Sequence, residues 1–108
     1  MQTGKFATKT GCFRNKIPLD PSEWTIAKTL GANDIQTAYF GKWHLGNPDS
    51  FGSVIKAERG GYESWLAANL LEFVSNSYDT RLYDSNNEEV RLPGYRVDAV
   101  VDLSLIHI

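Results

Sequence analysis

The chain has 108 residues, of which 42% are hydrophobic and 22% charged, as expected for one small globular domain or part of a larger one. Its formal net charge of −2 provides no general attraction to nucleic acid or to an anionic membrane, so we expect neither as a partner. The single cysteine, Cys12, excludes an internal disulfide and a zinc site made of cysteine pairs. Because the net charge is negative, any site that binds an anion must depend on a local group of basic residues.

The first predicted elements are a loop and a helix. Residues 3–16 are rich in glycine, threonine and basic side chains without a clear period, which predicts a loop, with a short helical turn as an option within it. A helix is predicted to start at Asp20, which can cap it, with Pro21 suited to the first turn and Glu23 at the capping-box spacing. Gly31 is expected to end this helix in the left-handed conformation.

A buried strand is predicted over residues 35–40, an apolar run that stops at a glycine. A helix, a short loop and an apolar strand form half of a βαβ unit, so we expect a parallel strand. The tight loop after it carries Lys42 and His44, at the strand end where α/β sheets bind ligands. In an extended segment, Lys42 and His44 point the same way and Trp43 points to the other side. The alternative is that both side chains are simply solvated.

The second half of the chain is less regular. Turn-forming residues over 47–53 predict an irregular loop, and 54–59 carries no firm assignment. Residues 62–73 permit helical turns or a short strand. Two short strands around a turn predict a hairpin over 79–92, and a helix is predicted to begin near Tyr95.

The loop sequence Gly-Lys-Trp-His-Leu-Gly at 41–46 resembles the second signature of the type I sulfatases, which use a formylglycine nucleophile. Residues 1–5 resemble the end of that family's first signature. Residues 60–65 resemble its aromatic segment after the lysine–histidine loop, and 93–98 its next helix start. The resemblance implies an α/β, alkaline-phosphatase-like fold, with a mainly parallel central sheet flanked by helices. It also implies an internal fragment of an arylsulfatase-like N-terminal domain.

The resemblance gives Lys42 and His44 catalytic and substrate-binding roles in sulfate-ester hydrolysis. Lys42 would bind the sulfate and the formylglycine side chain and neutralise charge near the leaving oxygen. His44 would hydrogen-bond the formylglycine hydroxyls and assist the step that expels sulfate. The residue types suit these roles, because an ammonium is a compact cation and an imidazole exchanges protons near neutral pH. The implied partner is a small-molecule or glycan sulfate ester.

The nucleophile and the metal ligands that the resemblance implies have no match in this sequence. Cys12 lacks the Cys/Ser-X-Pro/Ala-X-Arg pattern, so the formylglycine precursor is expected upstream of Met1 and Cys12 is expected to be an inert thiol. The family's divalent metal, usually calcium, is held by acidic pairs. Asp79 and Asp84 are expected to be turn residues rather than its ligands. We therefore predict no metal ligand here, and no catalysis by this chain alone.

Two other functions stay open: a phosphate or phosphonate esterase of the same superfamily, and a non-catalytic module that binds anions or sulfated glycans. Trp43, Tyr62 and Trp65 could stack on a substrate ring, but core packing is favoured for each. Arg59 and Asn69 are expected to have surface or structural roles rather than contacts with sulfate.

The chain is predicted to consist of a partial sulfatase catalytic domain, 1–102, and a non-native tail, 103–108. The tail sequence Leu-Ser-Leu-Ile-His-Ile looks like a translated sequencing adapter, which would leave His107 without functional weight. The resemblance implies a periplasmic or secreted protein. The first residues lack the pattern of a signal peptide, and no apolar run approaches the roughly 20 residues that span a bilayer.

Overall fold

A four-stranded mixed sheet runs through the computed structural model, which describes residues 1–106. Its strands, in spatial order, are β1 (Ala38–Lys42), β2 (Ser64–Ala68), β3 (Thr80–Tyr83) and β4 (Glu89–Leu92). β1 and β2 pair in parallel, whereas β2–β3 and β3–β4 are antiparallel. The predicted α/β class is confirmed, and within 1–106 the parallel pairing is confined to β1 and β2.

Short helices connect and flank these strands. They are α1 (Ala7–Thr10), α2 (Ile26–Gly31), α3 (Leu71–Val74) and α4 (Arg96–Ile106), with a 3-10 turn at Lys56–Glu58. None of the helices within 1–106 has the length and apolarity needed to cross a membrane. α4 confirms the helix predicted near Tyr95 and includes 103–106, whereas His107 of the predicted tail lies outside the described residues.

Helix α2 begins later than the sequence predicted. Its N-cap is Thr25, whose Oγ1 accepts a hydrogen bond from the Lys28 amide at 3.2 Å. Asp20 instead closes a turn: its carboxylate accepts from the Ser22 amide at 2.8 Å, and its carbonyl accepts from the Glu23 amide at 3.0 Å. The predicted capping role of Asp20 is therefore wrong, because the same side-chain chemistry that caps a helix also closes a turn.

The end of α2 also differs from the prediction. Gly31 is the last helical residue, and the residue after it, Ala32, has a right-handed φ of −67°. The amides of Asn33 and Asp34 donate to the carbonyls of Leu30 and Gly31 at 2.9 and 3.1 Å. Because these turns satisfy the last carbonyls of the helix, no left-handed glycine is needed at position 31.

The first strand lies three residues beyond its predicted start. Its register against β2 runs from Ala38 opposite Ser64 to Lys42 opposite Ala68, so the partner strand sets its bounds. The hairpin predicted over 79–92 is confirmed as β3 and β4, joined by the turn at 84–88. Residues 62–73 contain both of the predicted alternatives, a strand and a helical turn.

An aromatic cluster forms the core beneath the end of β1. Trp43 and Trp65 are buried, with ring centroids 5.4 Å apart, and Tyr39 and Tyr62 pack against them. The Tyr39 ring meets Trp43 edge-on at 5.0 Å. Core packing is thus confirmed for Trp43, Tyr62 and Trp65, and the cluster anchors the segment that follows β1.

Arg59 is a structural residue of this core. It is buried, lies over the Trp65 ring at 5.2 Å, and donates to the Val54 carbonyl at 2.9 Å and to Asn87 Oδ1 at 2.8 Å. Burial lowers the pKa of its guanidinium. The structural role predicted for Arg59 is confirmed, and the surface role is wrong. The guanidinium of Arg59 is buried and its hydrogen bonds link the hairpin turn to the core.

Candidate anion-binding site

The loop that carries Lys42 and His44 continues the pairing of β1 with β2. The Trp43 amide donates to the Ala68 carbonyl at 2.9 Å, and the His44 amide donates to the Asn69 carbonyl at 2.8 Å. His44 then adopts a left-handed φ of 58°. Such a conformation costs a residue with a side chain on the order of 1 kcal/mol, and here it turns the chain sharply at the strand end. His44 is therefore fixed at the point where the strand becomes a loop.

Asn69 holds the loop after His44 in place. It is 1% exposed, its Oδ1 accepts from the Gly46 amide at 3.1 Å, and its Nδ2 donates to the carbonyls of Asn47 and Ser50 at 2.8 and 2.7 Å. A Cβ on Gly46 would lie 3.3 Å from Asn69 Oδ1 and 3.1 Å from Glu58 Oε2. Glycine at 46 thus permits the close approach, and the structural role predicted for Asn69 is confirmed.

Lys42 is paired with Glu72, a residue that the sequence analysis did not single out. Lys42 Nζ lies 2.7 Å from Glu72 Oε1, and the two side chains are 39% and 45% exposed. The hydrogen bond from Lys42 is the main cause of a lowered pKa for the Glu72 carboxyl, and the charges of Lys42 and His44 lower that pKa further. The Glu72 carboxylate therefore lies close enough to both Lys42 and His44 to interact with their charges.

The backbone and core explain how these side chains are presented. Trp43 is buried in the aromatic cluster, Lys42 is exposed, and His44 is half-buried. Trp43 thus faces the core, as the alternation of an extended segment predicts. Glu72 lies in the first turn of α3, and no short-range spacing links it to Lys42, 30 residues earlier. The sequence carries no local signal for this contact.

A cavity of about 570 Å³ lies beside the loop. His44 and Glu72 line it, together with the buried Asn69 and the rings of Phe51 and Phe73. Lys42 does not line the cavity itself, but it is hydrogen-bonded to Glu72, which does. An imidazole, a carboxylate and an apolar wall thus surround one space large enough for a small organic ligand.

The carboxylates of Asp79 and Asp84 are used in local structure. Asp84 Oδ1 accepts from the amides of Asn86 and Glu88 at 2.8 and 2.9 Å. Asp79 Oδ2 accepts from Arg81 Nε at 2.9 Å, and this bond is the main cause of the lowered pKa of Asp79. Among residues 1–106 no group of three or more His, Cys, Asp or Glu could hold a metal ion. The turn roles are confirmed, and the donors described here do not fit the calcium site that the sulfatase resemblance implies.

Cys12 is engaged in the N-terminal loop. Its Sγ donates to the Ile17 carbonyl at 3.0 Å, and the side chain is half-buried. Cys12 does not line the cavity beside His44. It is therefore not placed to attack an ester bound there.

Comparison with known proteins identifies relatives of this chain. No family model matches it. It is 35% identical over 101 residues to the ulvan-active sulfatase of Formosa agariphila, a match that covers 93% of this chain and 19% of that protein. Its structure resembles BT4656 in complex with its substrate D-glucosamine-2-N,6-O-disulfate, with a TM-score of 0.74 and 25% identity, covering 97% of this chain and 19% of that one.

A second solved structure shows the same fold at lower identity. This is BT33494S-sulf, from work on the metabolism of multiple glycosaminoglycans by Bacteroides thetaiotaomicron, with a TM-score of 0.74 and 16% identity over 88% of this chain and 24% of that one. These likenesses confirm the predicted alkaline-phosphatase-like α/β fold. The chain spans about one fifth of the length of the sulfatase that it matches. Over that span, the chain is a sulfatase homologue.

Proposed function

We propose that this chain provides the lysine–histidine loop of a sulfate-ester hydrolase that acts through a formylglycine nucleophile. The observation that carries the proposal is the position of Lys42 and His44 in a sulfatase-like loop at the end of β1, with His44 lining a cavity. The nucleophile and the metal of the proposed reaction belong to other parts of a longer protein, because Cys12 and the carboxylates described above form neither site.

In the proposed reaction Lys42 binds the sulfate group. Its ammonium is held by Glu72 in an exposed ion pair, which is worth only about 0.2–1 kcal/mol. The oxygens of an incoming sulfate ester can therefore replace the Glu72 carboxylate on Nζ. A fixed cation at this position neutralises the charge that develops on the sulfuryl and leaving oxygens, which is the largest contribution in most reactions of this type.

His44 transfers protons in the proposed reaction. Its backbone is fixed by the hydrogen bond to the Asn69 carbonyl, and the residue lines the cavity in which we place the ester. A formylglycine residue would supply a hydrated aldehyde as nucleophile when the longer protein carries one. The imidazole is a suitable group to exchange protons with that hydrate at neutral pH.

The names of the relatives favour a sulfated sugar as substrate. The relative from Formosa agariphila is described as active on ulvan, and BT4656 is bound to a disulfated glucosamine as its substrate. We extend this substrate class to the present chain, and with it the periplasmic or secreted location expected of such an enzyme.

The experiment that tests the proposal is sulfate release by the longer gene product that contains this segment. Lys42→Met and His44→Ala should each lower kcat/KM on a sulfate ester by about a hundredfold, the scale of removing one charge-stabilising or proton-transferring group. Lys9→Met, an exposed lysine in α1, is the matched control. Full activity in the Lys42 and His44 variants, or faster hydrolysis of the matching phosphate ester, would contradict the proposal.

A further inference from the structure

Phe51 and Phe73 form an aromatic wall in the cavity beside His44. Their ring centroids are 5.3 Å apart with planes inclined by 27°, a stacked arrangement. Both rings line the cavity, and their residues are 50% and 66% exposed. The rings therefore stack on each other and still leave apolar surface exposed at the cavity.

The backbone beneath this wall is fixed. The Leu70 amide donates to the Phe51 carbonyl at 2.7 Å, and the Asn69 amide donates to the Gly52 carbonyl at 2.9 Å. A Cβ on Gly52 would lie 2.5 Å from the Tyr83 ring, so this segment is also tightly packed against β3. The two rings come from segments 22 positions apart, yet both are attached to the short stretch that begins at Asn69. The backbones of Phe51 and His44 are thus both hydrogen-bonded to the same stretch, at Leu70 and Asn69 respectively.

We infer that this cavity binds the ring of a sulfate ester against Phe51 and Phe73, while the sulfate group points to Lys42 and His44. The inference rests on the proposed function and adds a subsite to it. A volume of about 570 Å³ lies in the usual range for small-molecule sites and is sufficient for one sugar or aryl ring. Both ring types present an apolar face that packs on an aromatic side chain.

The polar side chains of the cavity suit a hydroxylated ring. Lys16 and Asp49 line it in addition to His44 and Glu72, so the apolar wall is accompanied by both donors and acceptors. This is the usual composition of a small-molecule site, in which apolar contact supplies affinity and a few polar groups fix the orientation.

The test measures ligand binding to the 108-residue chain by NMR titration. Three probes are used: phenyl sulfate and glucose 6-sulfate, which carry a ring, and methyl sulfate, which has none. Phe51→Leu and Phe73→Leu should each weaken binding of the ring-bearing esters about three- to tenfold, the scale of an aromatic contact. Methyl sulfate affinity should not change, and Phe73→Trp should retain the affinity for rings. Thermal unfolding of each variant verifies that it is folded.

The matched control is a second exposed aromatic pair. Tyr78 and Tyr95 have ring centroids 5.5 Å apart, and neither residue lines the cavity. Tyr78→Leu should leave the affinity for all three probes unchanged. A loss confined to phenyl sulfate or to glucose 6-sulfate would support the subsite and identify its ring type as aryl or sugar.

Other outcomes overturn the inference. Unchanged affinity for both ring-bearing esters in the phenylalanine variants would mean that the wall only packs against another segment of a longer protein. An equal loss for methyl sulfate would mean that the rings support the anion site and not a separate subsite. If ring-dependent binding is seen but methyl sulfate does not bind and Lys42→Met has no effect, the proposed function fails and the ring subsite stands. No binding of any probe would overturn both.

Discussion

Replacing Glu72 by glutamine tests whether the ammonium of Lys42 is available to an anion. The substitution keeps the shape of the side chain and removes its charge, which lies 2.7 Å from Lys42 Nζ. Because the two side chains are 39% and 45% exposed, solvent screens the pair, and the pair stabilises the chain by only about 0.2–1 kcal/mol. In the wild-type chain, sulfate can bind the Lys42 ammonium only if the Lys42–Glu72 ion pair is broken, so the energy of that pair is subtracted from the binding energy.

Glu72→Gln should therefore strengthen the binding of inorganic sulfate. An increase of up to about fivefold corresponds to 1 kcal/mol, at about 1.4 kcal/mol for each factor of ten. The affinity can be measured by NMR titration of the 108-residue chain at low ionic strength, where exposed charges are screened least.

The control for this change is Glu88→Gln, which alters the net charge equally at an exposed position in the hairpin turn. A general effect of net charge would raise sulfate affinity in both variants by the same factor. Equal affinities in Glu72→Gln and Glu88→Gln, or weaker binding in Glu72→Gln, would refute the view that Glu72 competes with sulfate for Lys42.

Three further predictions concern the loop, the hairpin and catalysis. Asn69→Ala should lower the free energy of unfolding in urea by about 2 kcal/mol, because buried backbone groups lose their partners; a change below about 0.5 kcal/mol would be inconsistent with this role. The pKa of Asp79 is lowered by Arg81, so its contribution to stability is present above the ordinary carboxyl pKa of 3.8 and is lost as the pH falls through the lower folded value. Asp79→Asn should accordingly reduce the acid dependence of unfolding below about pH 4, and an unaltered dependence would count against it. The purified chain alone should release no sulfate from an aryl sulfate; measurable release would show that its own residues complete the site.

The features that could be predicted from the sequence are those with a local physical cause. The glycines around Lys42 and His44 indicated a tight loop, and the alternation of an extended segment placed Trp43 in the core. The turn residues from Asp84 indicated the hairpin, and Asp84 indeed bonds to two amides of the turn. In each case the cause lies within a few residues of its effect.

The errors arose where local chemistry permits two structures. Asp20 can cap a helix or close a turn, and the structure has the turn, with Thr25 as the cap. The bounds of β1 depend on its partner β2, which pairs with Ala38–Lys42 and leaves Ile35 exposed. Propensity alone could not make either choice, because both depend on contacts distant in sequence.

The parts of the site that were missed are those that only the fold brings together. Glu72 contacts Lys42 across 30 positions in the sequence. The rings of Phe51 and Phe73 stack on each other, and the segment of Phe51 is hydrogen-bonded to the amides of Asn69 and Leu70. Asn69 was expected to have a surface or structural role, but its three hydrogen bonds to the loop follow from the end of β2 lying beside the end of β1. The lysine–histidine motif therefore identified one loop, and the rest of the cavity lining comes from other loops and from α3, which the fold brings beside it.

The central claim is that the loop at the end of β1 binds a sulfate group through Lys42 and His44. The most direct measurement is an NMR titration of the 108-residue chain with inorganic sulfate, in parallel with Lys42→Met and the control Lys9→Met. The account predicts saturable shifts concentrated at residues 42–46 and 72, retained in Lys9→Met and abolished in Lys42→Met. Shifts located elsewhere, or equal affinity in Lys42→Met, would contradict it.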